Sequence, residues 1–145
     1  MTENHNTKLI QTMCAAFGGG DIQTILDLLS PDVEWTLTGP AGIPYSGKKV
    51  GPSQVLTFFQ SLATTQEHHK LTIDVYIAQG DHVATTGRYS ALVKATGKLI
   101  DGPVAHVFTI KNGKVVKFLD FVDTAQMADA YTHSSTASQQ AASGE

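Results

Sequence analysis

A histidine and an aspartate near the C-terminal end of the chain have the types and spacing best suited to acid–base chemistry. Both lie in the segment 102–123, GPVAHVFTIKNGKVVKFLDFVD, in which two apolar, β-branched-rich runs flank an Asn-Gly pair. Alternating side chains predict strands, and Asn-Gly predicts the turn of a hairpin. His106 and Asp120 each stand among apolar neighbours, and ionisable groups in apolar surroundings are candidates for proton transfer.

The length of the hairpin turn decides whether these two side chains point to the same side of the sheet. A two-residue turn at 112–113 pairs Ile110 with Val115 and directs His106 and Asp120 to opposite faces. A slip of one residue moves every side chain of a strand to the other face. The hypothesis that His106 and Asp120 act together therefore depends on the register of this hairpin.

A three-residue loop at 111–113, with the glycine left-handed as a bulge, instead pairs Ile110 with Lys114. His106 is then diagonal to Asp120 on one face. We favour this register because burial specifies register strongly, and it gathers the apolar residues into one core face. On the residues alone, the alternative to a catalytic role is a structural one. His106 is then a core histidine whose hydrogen bonds are satisfied, and Asp120 lies at the edge of the sheet. The expected core face comprises Phe108, Ile110, Val116, Phe118 and Val122.

Three helices are predicted in the first half of the chain, where apolar residues recur at helical spacing. The first covers about 3–17 and ends at a run of glycines. Asp21 is expected to cap the second, which ends at the segment 30–32, and Pro52 begins the third. A short fourth helix over 124–131 follows the hairpin.

Strands are predicted where apolar and polar residues alternate. In the predicted strand 82–94, alternation directs Tyr89 inward and Arg88 outward, unless a bulge near Gly87 inverts them. The glycine-rich segment 38–51 is predicted to be a loop that rims a pocket, with Tyr45 either closing over a ligand or lying in an exposed turn. His68-His69 is assigned to a polar link. Besides 33–37, the predicted strands are 71–79, with Leu71, Ile73, Val75 and Ile77 on one face, 82–94, 99–110 and 114–123.

The length, net charge and cysteine content of the chain limit the functions it can have. A chain of 145 residues is long enough for one domain with a real core, which we assign to 1–131, with a disordered polar tail at 132–145. The net charge of −3 argues against nucleic acid or an anionic membrane surface as partner. The single cysteine, Cys14, precludes an internal disulfide and fits a reducing compartment. With a polar N-terminus and no apolar run that could span a bilayer, a cytoplasmic protein is expected.

Helices followed by strands predict an α+β fold, in which three N-terminal helices pack on a strongly bent antiparallel sheet to form a cone-shaped α+β barrel. The early segment FGGGDIQTILDLLSPDVEW and the late segment HVFTIKNGKVVKFLDFVD resemble the nuclear-transport-factor-2-like superfamily, and within it the SnoaL-like polyketide cyclase family. The resemblance covers about residues 8–131. It implies that His106 and Asp120 line a pocket, and that the aspartate is the acid–base catalyst of an intramolecular aldol ring closure.

Two other enzyme types of this superfamily match less well. Ketosteroid isomerases use a first-helix tyrosine, a base near the first strand and a buried acid, and these positions fall at about Met13, near Leu37 and at His106. Two of the three roles are therefore absent. Limonene-epoxide hydrolases need an arginine and two aspartates. Of these, Asp120 matches one, Tyr89 or Ser90 stands at the other, and Arg88 is a loose candidate for the arginine.

The sequence therefore predicts a small-molecule enzyme that performs acid–base chemistry on an enolisable carbonyl, by aldol-type cyclisation or isomerisation, without metal or organic cofactor. The alternatives are a non-catalytic small-molecule-binding module and an epoxide hydrolase in which Asp120 activates water. The expected partner is a hydrophobic substrate. Besides the catalytic pair, its pocket is predicted to contain Met13, Phe17, Trp35, Tyr45, Phe58, Phe59, Tyr89, Phe108 and Phe118.

A second copy of the chain is the other expected partner. The sheet face opposite the pocket carries apolar residues that a lone domain would expose, and such a patch predicts a homodimer packed through the outer sheet face. The residues of this predicted patch are Val107, Val115, Leu119 and Phe121.

Overall fold

The computed structural model of the protein describes residues 2–133, and from residue 134 onward the predicted polar tail at 132–145 lies outside the described residues. Within them four helices and six strands follow one another in an α+β arrangement, which confirms the predicted fold class. The helices are α1 (Thr2–Gly18), α2 (Ile22–Asp27), α3 (Pro52–Thr65) and α4 (Thr124–Ala130). The strands are β1 (Leu29–Leu37), β2 (Gly47–Val50), β3 (Gln66–Gln79), β4 (His82–Val93), β5 (Leu99–Lys111) and β6 (Lys114–Phe121).

The six strands form one sheet in the order β2-β1-β6-β5-β4-β3. Neighbouring strands are antiparallel except β1 and β6, which run parallel, with Trp35 beside Phe118 and Leu37 beside Asp120. Sequence periodicity cannot reveal this pairing, because the two strands are separated by most of the chain. The consequence for the site is that β6 lies between β1 and β5.

Local sequence signals set most of the helix ends. Gly20 adopts φ +71°, a left-handed conformation that glycine takes without steric cost, just after α1 ends. The Asp21 carboxylate accepts a hydrogen bond from the backbone N–H of Thr24 and caps α2. Pro52 occupies the first turn of α3, where its missing N–H costs nothing. None of the helices described between residues 2 and 133 combines the length and apolar character of a membrane span.

Three boundaries differ from the prediction. Strand β1 begins at Leu29 rather than 33, and its early part includes the segment assigned to the end of the second helix. Strand β2 lies inside the predicted loop 38–51, because Glu34 to Leu37 of β1 offer it an open edge for pairing. His68-His69 belong to β3 rather than to a link. There the strand is irregular, and His68 has φ +58°.

The predicted apolar face of β3 is wrong in its second half. A register shift between Ile73 and Val75 inserts one extra residue, so Tyr76 takes over the inward position while Val75 and Ile77 become 44% and 58% exposed. Gly87 lies opposite on β4, where an added Cβ would stand 1.9 Å from the Thr72 carbonyl oxygen. Strand β4 itself keeps its alternation, which confirms Tyr89 as inward and Arg88 as outward.

The hairpin turn is shorter than the favoured one. Asn112 and Gly113 have φ +52° and +73°, as in a two-residue turn whose twist matches the strands, and Ile110 pairs with Val115. The predicted three-residue loop is therefore wrong. Val115 is fully buried rather than part of the outer face, and Val116 is only partly buried.

A bulge in β6 then restores the shared face. The pairing passes from Ile110 with Val115 to Thr109 with Lys117, so β6 contains one extra residue there. Beyond the bulge, His106 lies directly opposite Asp120, not diagonal to it. The expectation that the two residues share a face is thus met by a different register from the one we favoured.

Candidate active site

A cavity of about 90 Å³ lies between the helices and the concave face of the sheet. Its wall is almost wholly apolar. The structure brings all the sequence-predicted site residues to this one cavity, which indicates a single site. They are Met13, Phe17, Trp35, Tyr45, Phe58, Phe59, Tyr89, His106, Phe108, Phe118 and Asp120.

The cavity holds one close pair of ionisable side chains. His106 Nε2 lies 3.3 Å from Asp120 Oδ1, and the two side chains are 10% and 12% exposed. The two atoms are close but not aligned for a hydrogen bond, so Asp120 Oδ1 is buried without a hydrogen-bond partner. Burying a carboxylate oxygen that accepts no hydrogen bond is costly. This atom is therefore available to accept a proton or a hydrogen bond from a bound molecule.

Thr85 holds the histidine from the other side. It faces His106 across β4 and β5, and its Oγ1 lies 3.2 Å from His106 Nδ1. When the hydroxyl donates to Nδ1, the proton of the neutral ring is on Nε2, the nitrogen that faces Asp120. The sequence analysis did not identify Thr85 as a site residue. Its signal was a polar residue at an inward position of β4, beside the strand of the histidine.

Aromatic side chains form the wall next to this pair. The rings of Trp35 and Phe118 stack with centroids 3.9 Å apart, and Phe118 lies 5.3 Å from the His106 ring. Phe58 and Phe59 pack against Trp35 at 5.9 and 5.6 Å. Trp35 Nε1 is buried without a hydrogen-bond partner.

A second polar cluster, consisting of Gln66, Tyr45, Tyr89 and Tyr131, adjoins the cavity. The Gln66 amide donates to the hydroxyls of Tyr45 and Tyr131, each at 2.8 Å, and its oxygen accepts from Tyr89 at 2.5 Å. Tyr45 donates onward to the Met127 thioether at 3.1 Å, a weak acceptor. Tyr45 is buried, so the exposed-turn interpretation is wrong. Gln66 and Tyr131 were not predicted, since their role depends on contacts between distant segments.

Burial keeps the cluster's phenols protonated. Loss of solvent raises the pKa of Tyr45 and of Tyr89 well above the ordinary value of 10, and for Tyr89 the nearby Tyr131 and Asp120 raise the pKa further. Both hydroxyls are therefore hydrogen-bond donors at any pH at which enzymes normally work.

Arg88 lies away from the cavity. It is exposed on the outer face of β4 and pairs with Asp101 at 3.1 Å. It therefore does not complete an epoxide-hydrolase arginine and aspartate set with Asp120. The positions of the ketosteroid-isomerase tyrosine and base are also apolar here, since Met13 and Leu37 line the cavity. Within residues 2–133, no three histidine, cysteine or acidic side chains are grouped as metal ligands would be.

Comparison with known sequences establishes the family. A profile of the SnoaL-like domain matches residues 10–118. Because the match spans most of the 145 residues, the chain belongs to the SnoaL-like domain family. No curated protein matches the chain.

Solved structures share the fold over nearly their full length. An NTF2-like protein of unknown function from Burkholderia pseudomallei is 30% identical with a TM-score of 0.80, and the alignment covers 88% of this chain and 98% of the other. An NTF2-like protein from Burkholderia thailandensis is 29% identical (TM-score 0.81, coverage 88% and 97%). TerC, co-crystallised with polyporic acid, is 26% identical (TM-score 0.79, coverage 88% and 98%). These similarities confirm the cone-shaped α+β barrel.

Proposed function

We propose that the protein is an enzyme that moves a proton α to a carbonyl group, in an aldol-type cyclisation or an isomerisation of a hydrophobic small molecule. The observation that carries the proposal is the buried Asp120 oxygen without a hydrogen-bond partner, 3.3 Å from His106 in an apolar cavity. A carboxylate so placed is a general base close to any ligand that fills the cavity. The family resemblance assigns the same role to the same residue.

Asp120 can both take and return the proton, so the proposed reaction needs no other acid or base. Asp120 removes the α-proton, so the C–H bond breaks, an O–H bond forms on the carboxylate and the electron pair moves to the carbonyl oxygen as an enolate. His106, oriented by Thr85, donates a hydrogen bond to that oxygen or holds Asp120 in place. In cyclisation the enolate carbon attacks a second carbonyl of the same molecule, and the new alkoxide takes the proton back from Asp120. In isomerisation the proton returns to a different carbon.

The cavity favours a cyclic or aromatic ligand. Its walls are mostly aromatic and aliphatic, and the polar groups that could orient a ligand are few. TerC, a structural relative at 26% identity, was crystallised with polyporic acid, which supports testing that compound here as a ligand.

Solvent deuterium exchange tests the proposal without knowledge of the natural substrate. A panel of enolisable cyclic and aromatic ketones is incubated with the protein in D₂O, and α-deuteration is followed by NMR. The wild type is expected to catalyse exchange, and Asp120→Asn to lose about 10²- to 10⁴-fold of the rate while keeping its circular dichroism spectrum. Asp101→Asn, which removes an exposed carboxylate, is the matched control and should exchange like the wild type. Exchange by Asp120→Asn at the wild-type rate would contradict the proposal.

A binding module is the second candidate, favoured by the small number of polar groups around the pair. It is distinguished by a ligand that binds tightly and neither exchanges nor turns over in the wild type. Epoxide hydration is the weaker alternative, because Arg88 is directed away from Asp120. Formation of a diol from an epoxide panel would favour it.

We also propose that the protein is a homodimer through the outer face of the sheet. Phe121 is 50% exposed there, and Val107 and Leu119 are partly exposed on the same face of β5 and β6. Apolar side chains left on one sheet face are typical of an interface between copies.

A further inference from the structure

Trp35 carries the second buried polar atom that has no hydrogen-bond partner. Among the described residues, the buried side-chain atoms without a partner are its Nε1 and Asp120 Oδ1. One is an obligate donor and the other, as a carboxylate, an acceptor. Each unsatisfied buried group destabilises the native state, and a bound molecule with an acceptor for the indole N–H would remove that part of the penalty.

The two residues lie side by side on the concave face. On the parallel strands β1 and β6, Trp35 pairs with Phe118 and Leu37 pairs with Asp120. Trp35 and Asp120 are therefore on neighbouring strands, offset by two residues, and both line the cavity. His106 follows on the next strand, directly opposite Asp120. Three adjacent strands thus place an indole, a carboxylate and an imidazole around one cavity.

The size of the cavity limits how a ligand can bind in it. About 90 Å³ is less than the roughly 150 Å³ in which an apolar protein cavity holds benzene. A ligand with a ring therefore either extends out of the open side of the cavity or displaces side chains from its wall. Trp35 is a large part of that wall, in contact with Phe118, Phe58 and Phe59. Its Nε1 is covered in this structure, so movement of these rings is what would bring the N–H to the ligand.

We propose that Trp35 donates its indole N–H to the carbonyl oxygen of the substrate, which places the α-carbon toward Asp120. The substrate is then a neutral ketone that carries a ring. This inference rests on the proposed function and adds a donor to the same site. As the negative charge develops on the oxygen, the indole N–H stabilises the enolate alongside His106.

NMR tests this directly, because Trp35 is the single tryptophan of the chain and gives one indole N–H signal. The ¹⁵N-labelled wild type is titrated with benzylacetone, a phenyl-substituted ketone, and separately with butylbenzene, which has the same skeleton without the oxygen. We expect benzylacetone to move the indole proton downfield and to slow its exchange with water. Butylbenzene should not produce the downfield shift.

Affinity measurements by calorimetry separate the hydrogen bond from packing. Trp35→Phe keeps an aromatic ring and removes the donor, so its affinity for benzylacetone should fall about three- to tenfold more than its affinity for butylbenzene. Phe59→Leu, which changes the same aromatic wall without touching the N–H, should weaken both compounds by similar factors.

The inference is overturned if benzylacetone fails to shift the indole signal at its solubility limit, or if both compounds shift it alike. It is also overturned if Trp35→Phe weakens both compounds equally. The proposed function fails separately, through the Asp120→Asn exchange assay. If Asp120→Asn loses exchange while Trp35→Phe keeps the wild-type rate and affinity, the acid–base function stands and the role of Trp35 does not.

Discussion

His106 and Asp120 occupy directly opposed positions on two neighbouring strands, with Nε2 3.3 Å from Oδ1. The bulge in β6 produces this alignment, because without the extra residue the Asn112-Gly113 turn would direct the two side chains to opposite faces. The hairpin therefore determines both the proximity of the pair and its position in the cavity.

Thr85→Val tests how the histidine is held. Valine keeps the shape and removes the hydroxyl 3.2 Å from Nδ1, so the ring loses the contact that favours a proton on Nε2. We expect ketone exchange to fall about tenfold, and long-range ¹H–¹⁵N spectra to show a changed tautomer population. Thr86→Val, at the exposed neighbouring position, is the control. Unchanged tautomers together with a wild-type rate in Thr85→Val would remove Thr85 from the site.

Alkaline pH should unfold the protein through its buried tyrosines. The pKa values of Tyr45 and Tyr89 are raised in the folded state, while in the unfolded chain tyrosine has a pKa of about 10. Below pH 10 both states are protonated and stability is unaffected. Above it the unfolded chain loses protons that the native state retains, so stability falls by about 1.4 kcal/mol per pH unit for each tyrosine. Denaturant unfolding between pH 8 and 11 measures this, and Tyr89→Phe should show a smaller loss. A loss of the wild-type size in Tyr89→Phe would contradict the assignment.

Gly87→Ala should be severely destabilising. The added Cβ would stand 1.9 Å from the backbone oxygen of Thr72, where β4 crosses the irregular part of β3. Relief requires movement of backbone, so we expect a loss of about 3 kcal/mol or more in the free energy of unfolding. Gly102→Ala is the matched control, since its Cβ would meet only side-chain atoms at 3.8 Å or beyond. A Gly87→Ala protein as stable as Gly102→Ala would show that β3 has more freedom than described.

Light scattering tests the proposed homodimer. The wild type at micromolar concentration should have twice the mass of the chain. Phe121→Lys, which places a charge on the outer face, should shift the mass toward that of one chain while ligand binding in the cavity remains. A monomeric wild type would contradict the dimer.

The sequence predicted those parts of the molecule that local pattern determines. Helix ends at Asp21 and Pro52 follow from capping chemistry, and the inward position of Tyr89 follows from alternation along β4. The contents of the cavity could be predicted because large apolar residues on the inner faces must meet in one core.

Other features depend on contacts between distant segments. The bulge in β6 and the shift near Val75 result from fitting curved strands together, and alternation alone does not mark them. The parallel pairing that brings Trp35 beside Asp120 also has no local signal. Gln66 could be recognised only once its partners were placed beside it.

The central claim is that His106 and Asp120 act as one catalytic unit, and a double-mutant cycle on ketone deuterium exchange tests it most directly. The rates of wild type, His106→Ala, Asp120→Asn and the double variant are compared, with His106→Gln included because it keeps an N–H donor near the Nε2 position. The prediction is that each single variant loses most of the rate, that the double variant is no slower than Asp120→Asn, and that His106→Gln recovers part of the activity. If the two losses simply multiply, or if His106→Ala exchanges like the wild type, the residues act independently and the account is contradicted.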